Sequence, residues 1–418
     1  MATTKTGVTA KTVRVPISNI PANGDYTAQI QVGSQKAPAN VIMDTGSSTL
    51  AVKNSVYKPA SDTNLKPTTL AQDVTYGTGG WAGPVVTTSV SMGVPGNDIT
   101  LQSSPMAIAD DQQPHNFGAA DGILGLAYNA LNNGFNLAPY LQKHNINPAA
   151  TYPWPFATTN SSALLAQLGQ LFNTMPPVLI PPYFDEVEKS GITANKFAFY
   201  TLRSVPSMAG ANHAQNKLNQ GFFILGGGQE QAGLFTGAFQ NVDVVDDAWY
   251  NTDLKAVQVG NAAPVNITPL TADQKRQFLS NSIIDSGTNA LFLSPDVLNA
   301  VLAGLQALNA EFLQAVTTAM KQRGGIAAAG LDLSKWPGIT FILTGDAGQD
   351  VKLTCSPQTY WQVDAPRAGH AMCQLINGGS AQSILGLPLM NNYYTVFDRS
   401  LERTGVIRFA PINANPSN

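Results

Sequence analysis

A chain of 418 residues is long enough for two domains of ordinary size, each with its own core. Charged residues make up only 12% and the formal net charge is −3, which excludes a disordered or coiled-coil chain and gives no electrostatic basis for binding nucleic acid or an anionic membrane. No apolar run approaches the ~20 residues of a membrane span.

Met1 to Lys11 has no apolar core of the kind a secretory leader carries. A cytoplasmic location is therefore expected, or a secreted or periplasmic one if a leader has been removed. Cys355 and Cys373 are too few for a four-ligand zinc site. They flank Tyr360 to Val363, which reads as a strand, so a disulfide across neighbouring strands and two free buried thiols both fit. The histidines are scattered and no H-E-x-x-H occurs, so no metal and no cofactor is expected.

Taken in order, residues 12–33 alternate apolar and polar. Val13, Val15 and Ile17, then Tyr26, Ala28, Ile30 and Val32, lie on either side of Pro21-Ala22-Asn23-Gly24, which predicts a hairpin. Val41-Ile42-Met43 carry the next strand into Asp44, and Thr45-Gly46-Ser47-Ser48 turn the chain with three hydroxyls. A carboxylate at a buried strand end needs donors, and these hydroxyls and the N–H groups after Gly46 are the nearest. Residues 53–72 are polar, with no clear period.

Val74 to Gly83 is dense in glycine around Tyr76 and Trp81, as a tight hairpin tip requires. Gly77 to Ala82 also fits the dinucleotide fingerprint G-x-G-x-x-A. A β-rich run follows where that site needs a helix, which rules the fingerprint out. Further on come the apolar-Gly stretch Ile123-Leu124-Gly125, an amphipathic helix over Ser162–Phe172, and an apolar strand around Phe197–Tyr200. In the second half, Trp249 to Val257 reads as a strand. One long helix is predicted from Ser294-Pro295 to about Gln322, with Gly324-Gly325 ending it.

The chain writes its most telling stretch twice. Ser282-Ile283-Ile284-Asp285-Ser286-Gly287-Thr288 repeats the pattern that ends in Asp44-Thr45-Gly46-Ser47, 241 positions later. Ile384-Leu385-Gly386 likewise repeats Ile123-Leu124-Gly125. Paired motifs in each half imply two similar lobes related by a pseudo-twofold axis. Such an axis brings Asp44 and Asp285 face to face. Two close carboxyls cannot both ionise readily, so they share a proton, one serving as base and one as acid toward a water.

In this order, Asp44-Thr45-Gly46-Ser47-Ser48, Tyr76-Gly77-Thr78-Gly79, Asp121-Gly122-Ile123-Leu124-Gly125, Asp285-Ser286-Gly287-Thr288 and Ile384-Leu385-Gly386 with Tyr393 to Asp398 resemble the pepsin-like aspartic endopeptidases over nearly the whole chain. The leaderless start, the scarcity of cysteine and the opening V-R-V-P-I are most similar to bacterial pepsin homologues such as the shewasins. The resemblance implies an all-β, bilobal pepsin-like acid protease fold with a central interlobe sheet and a few helices, its lobes spanning residues 1–200 and 201–418.

By matched position, the resemblance makes Asp44 and Asp285 the catalytic pair, with Gly46 and Gly287 in the two turns. Thr45 and Ser286 would cross-brace the turns, and Ser47 and Thr288 would bond the outer carboxylate oxygens. Tyr76, Gly77 and Thr78 would form a flap over the substrate. Phe117 and Ile123 would line an apolar pocket, and Trp249 would be a cleft aromatic. The implied partners are a polypeptide substrate and pepstatin-type inhibitors, and the implied state is a monomer.

Ala51 departs from the family, which often has tryptophan there, and Trp81 could brace the flap tyrosine instead. Leu387 stands where aspartate is common. The reading is an endopeptidase cutting between apolar or aromatic residues at acidic pH. The alternative is a catalytically weak or inactive binding or inhibitor protein on the same scaffold. A glycosidase also uses paired carboxylates, but nothing in that chemistry requires them in repeated turns.

Overall fold

The computed structural model describes residues 10–76, 79–112, 117–156, 162–322, 324–401 and 404–416. Alternation in the first segment works as the period predicts. Strand Val13–Ala22 buries Val13, Val15 and Ile17 and pairs antiparallel with Asp25–Val32. Strand Ala37–Asp44 adds to the other side, with Thr27 opposite Ile42 and Val32 opposite Ala37.

The duplicated motifs have the same local topology. Ala37–Asp44 runs parallel to Gly122–Gly125, placing Asp44 opposite Gly125, and Leu50–Lys53 pairs antiparallel with that same strand. In the second half, Ser282–Ile284 runs parallel to Ser383–Leu385, and Leu291–Leu293 pairs antiparallel with it. Each apolar-Gly strand is thus the middle member of a triplet whose neighbour leads to a motif aspartate.

One large sheet ties the ends of the chain together. Val13–Ala22 pairs with Gln220–Leu225, which pairs with Lys196–Tyr200, then with Tyr393–Asp398 and finally Val406–Pro411. Phe197 and Phe397 stack there with ring centroids 5.0 Å apart. Strands from both halves therefore share one hydrogen-bonded sheet, and strands far outweigh helices among the described residues.

Several elements differ from expectation. Strand Lys66–Tyr76 begins inside the stretch that shows no period, because its partner Gly79–Val94 dictates the pairing that the polar sequence does not. The long helix is two, Pro295–Leu308 and Ala310–Lys321. Asn309 adopts extended backbone between them, and its side chain accepts from the Glu311 N–H at 2.9 Å, capping the second helix. Trp249 precedes the strands Asn251–Thr252 and Leu254–Val259 rather than lying in one, and a helical turn Pro357–Tyr360 leads into Trp361–Val363.

Of the two readings left open for the cysteines, the structure has the free thiols. Cys355 ends a strand paired with Ile339–Thr344, while Cys373 ends one paired with Trp361–Val363, in a different sheet. Both are free thiols, and the Cys355 sulfur instead approaches the Thr359 hydroxyl and the Pro388 carbonyl at 3.2 Å each.

The helix Ser162–Phe172 forms over the predicted range. Leu165, Leu168 and Phe172 are buried with Leu137 and Leu141 against Ala71 and Ala82, on the paired strands that carry Tyr76 and Trp81. The helices Ala138–Lys143 and Ser162–Phe172 therefore pack against that hairpin. Among the described residues, no helix is long and apolar enough to cross a membrane.

Candidate active site

Asp44 ends one buried strand and Asp285 follows another, and the turns after them lie against each other. Both aspartates are nearly enclosed, 6% and 7% exposed. Each carboxylate is held the same way. Asp44 accepts from the Gly46 N–H at 2.7 Å and the Ser47 hydroxyl at 2.5 Å, and Asp285 from the Gly287 N–H at 2.8 Å and the Thr288 hydroxyl at 2.6 Å. In each case one oxygen takes the backbone donor and the other the hydroxyl, which fixes the plane of the carboxyl.

Beneath the carboxyls the turns are cross-braced. The Ser286 N–H donates to the Thr45 hydroxyl at 2.8 Å, and the Thr45 N–H to the Ser286 hydroxyl at 3.0 Å. Each hydroxyl then donates to a carbonyl of the opposite strand, Thr45 to Ile284 at 3.1 Å and Ser286 to Met43 at 2.8 Å. Four buried bonds between segments 241 positions apart make the relative placement of the carboxyls a property of the backbone.

The glycines set how close the turns come. A methyl group on Gly46 would lie 2.7 Å from both Asp285 carboxyl oxygens, and one on Gly287 only 2.2 Å from Asp44 Oδ1. Only glycine fits where the backbone of one turn packs on the carboxyl of the other. Burial, and after it the Asp285 charge, push the Asp44 carboxyl well above the usual range, against the pull of its Ser47 and Gly46 donors. Such a carboxyl keeps a proton that an exposed aspartate loses.

A cavity of about 540 Å³ opens above the pair. Tyr76, Phe117 and Ile123 line it as expected, together with Gly46, Gly287 and Thr288. Tyr76 comes from the hairpin opposite. It packs on a buried cluster that includes Ala51, Trp81, Phe117 and Ile123, so Trp81 occupies the cluster with the small Ala51. The Tyr76 hydroxyl and the Trp81 indole N–H are both buried, and the hydroxyl lies close enough to Trp81 and Ser47 for their hydrogen bonding to act on it. Gly77 and Thr78 lie outside the described residues.

Trp249, expected as a cleft aromatic, sits against the first motif turn. It is not among the residues lining the cavity; its indole N–H donates to the Gly46 carbonyl at 3.0 Å, tying the second half to the first turn. Asp25, Ile42, Asn289, Phe292 and Ile384 also line the cavity and were not anticipated. Ile384 was within reach, since it is the repeat partner of Ile123. Ile42 lies two residues before Asp44 in the same strand and pairs with Ile123. Asp25, beside a hairpin turn, carried no signal. Among the described residues, no group of histidine, cysteine and acidic side chains could hold a metal ion.

A family profile described as eukaryotic aspartyl protease matches residues 25–146 and 168–411. The chain is 22% identical to a beta-secretase of Strongylocentrotus purpuratus, over 92% of this chain and 66% of that protein. It is 24% identical to pepsin-2B of Gadus morhua, over 93% of this chain and 97% of that protein. It is also 24% identical to gastricsin of Mus musculus, over 92% of this chain and 81% of that protein.

Proposed function

Because the chain belongs to the eukaryotic aspartyl protease family, whose pepsin and gastricsin relatives are aspartic endopeptidases, we propose that it hydrolyses peptide bonds through a water activated between Asp44 and Asp285. The observation that carries this reading is the symmetric pair of turns. Two enclosed carboxyls are each oriented by a glycine N–H and a hydroxyl and locked to one another by the Thr45–Ser286 brace.

The pair holds one proton. The ionised carboxyl takes a proton from the water as it attacks the scissile carbonyl. The protonated carboxyl donates to the developing oxyanion, and the proton gained in the attack passes to the leaving amine. No acyl-enzyme forms, because the nucleophile is the water itself. The raised affinity of Asp44 for its proton favours the singly protonated pair in acid. The apolar walls made by Ile42, Phe117, Ile123, Phe292 and Ile384 suit apolar or aromatic side chains beside the cut, with the Tyr76 hairpin closing over an extended peptide.

The test is digestion of haemoglobin at pH 4 with and without pepstatin. Cleavage that pepstatin abolishes supports the reading. Absence of cleavage by folded protein across pH 3–7 rejects it.

A further inference from the structure

The cavity that holds the pair contains a third acid that the chemistry above does not use. Asp25 opens the second strand of the first hairpin and lines the same space as Asp44 and Asp285. Among the described residues, its Oδ1 is buried without a hydrogen-bond partner. Asn289 stands beside it. The turn before Asp25 packs so closely on that side chain that a methyl group on Gly24 would lie 2.7 Å from the Asn289 amide nitrogen. Among the described residues, the cavity lining holds three carboxyl groups and no lysine, arginine or histidine.

An orphaned buried acceptor costs free energy until a donor arrives. A structural aspartate would have found its donors within the fold, as Asp62 does with the Ser34 and Asn64 N–H groups and the Tyr57 hydroxyl. Asp25 instead faces the substrate space. The neighbouring acids offer it no proton donor it could rely on through a catalytic cycle that uses their proton.

We propose that Asp25 is a specificity-determining residue that selects peptides carrying a lysine or arginine side chain beside the scissile residues, with the cationic head seated between Asp25 and Asn289. This rests on the peptidase reading of the same cleft. In the empty cleft, burial and then the charges of Asp285 and Asp44 favour the protonated form of Asp25. A cationic head displaces that proton to solvent and pairs with the carboxylate, while the Asn289 carbonyl can accept a second hydrogen from it. An apolar side chain of equal length leaves the Asp25 oxygen without a donor.

The experiment uses non-cleavable hydroxyethylene-isostere peptides in which lysine or norleucine occupies, in turn, each position flanking the isostere. Binding to the whole chain and to Asp25→Asn is measured by calorimetry at pH 5, with thermal unfolding as the control for folding. At one position, lysine should bind at least about tenfold more tightly than norleucine, the size a charge-assisted hydrogen bond reaches away from water. Asp25→Asn should bring that ratio near one.

A ratio near one at every position, a lysine preference that survives Asp25→Asn, or an equal loss for both peptides would overturn the proposal. The equal loss would mean that Asp25 bonds the peptide backbone instead. Hydrolysis of the norleucine amide peptide, and its inhibition by pepstatin, tests the peptidase reading separately. If no isostere peptide binds, both readings fall.

Discussion

Replacing Gly287 by alanine tests the site through a single methyl group. That carbon would lie 2.2 Å from Asp44 Oδ1 and 2.6 Å from its Cγ, where ordinary contact begins at 3.4 Å. The Gly287 backbone has no positive φ, so alanine is tolerated conformationally and the whole effect falls on the carboxyl opposite. Asp44 must move by about 1 Å, which for a reacting group can cost on the order of 10²-fold in rate. The same movement strains the bonds from the Gly46 N–H and the Ser47 hydroxyl, charge-assisted contacts worth roughly 1.5–3 kcal/mol each.

The expectation is a fall in kcat of about 10²–10³ with KM changed little, since the apolar walls made by Ile42, Phe117, Ile123, Phe292 and Ile384 are untouched. The assay is steady-state cleavage of a fluorogenic peptide, with thermal unfolding measured alongside. Gly233→Ala is the control, because a methyl there meets nothing within 4 Å. A Gly287→Ala enzyme within threefold of wild type would refute the claim that Asp44 is held against that backbone.

Asp44→Asn should fold normally and lose roughly 10⁴-fold or more in kcat/KM, as expected when one member of a catalytic unit is removed. Circular dichroism melts and peptide cleavage together check this. Trp81→Ala removes the indole from the cluster under Tyr76 and should raise KM severalfold while costing about 3–5 kcal/mol of stability, the usual range for a buried tryptophan. Steady-state kinetics and urea unfolding read both effects.

Asp73 lies on the strand leading to Tyr76, and a methyl on Gly169 of the helix Ser162–Phe172 would be 2.5 Å from its Oδ2. Burial pushes its carboxyl up to about 6 from 3.8. The folded protein therefore binds this proton better than the unfolded chain. The resulting stability is complete below about pH 4 and lost as pH rises through 6, amounting to roughly 1 kcal/mol after solvent screening. Melting wild type and Asp73→Asn at pH 4 and pH 7 should show the difference narrowing for the variant. The thiols of Cys355 and Cys373, pushed up to about 12 by burial, should react with a disulfide reagent only after unfolding.

The duplicated turns were legible in the sequence because catalysis of this kind needs particular side chains at fixed offsets. Thr45, Ser286, Ser47 and Thr288 took their expected hydrogen-bonding roles from their match to the family's motif, and they make those bonds. The hairpin at residues 13–32 and the helix Ser162–Phe172 were legible from their periods. The strand beginning at Lys66 was hidden because its pattern comes from its partner rather than from alternation of its own. The break at Asn309 was hidden because the apolar stripe continues across it while one side chain caps the next helix.

Asp25 and Trp249 show a different limit. Asp25 reaches the cavity from a turn remote in sequence, and Trp249 spends its indole N–H on the Gly46 carbonyl rather than on the substrate space. Both placements depend on how distant segments meet, which residue type and spacing do not encode. The repeat could have supplied Ile384, the counterpart of Ile123, had the symmetry been applied to the walls as well as to the acids.

The most direct test of the shared-proton account is kcat/KM against pH for wild type and Asp285→Asn on one peptide. Wild type should give a bell, with activity rising as one proton leaves the pair and falling as the second goes. Folded Asp285→Asn should lie at background across the range. A folded variant that keeps a bell-shaped profile within tenfold of wild type would contradict the account.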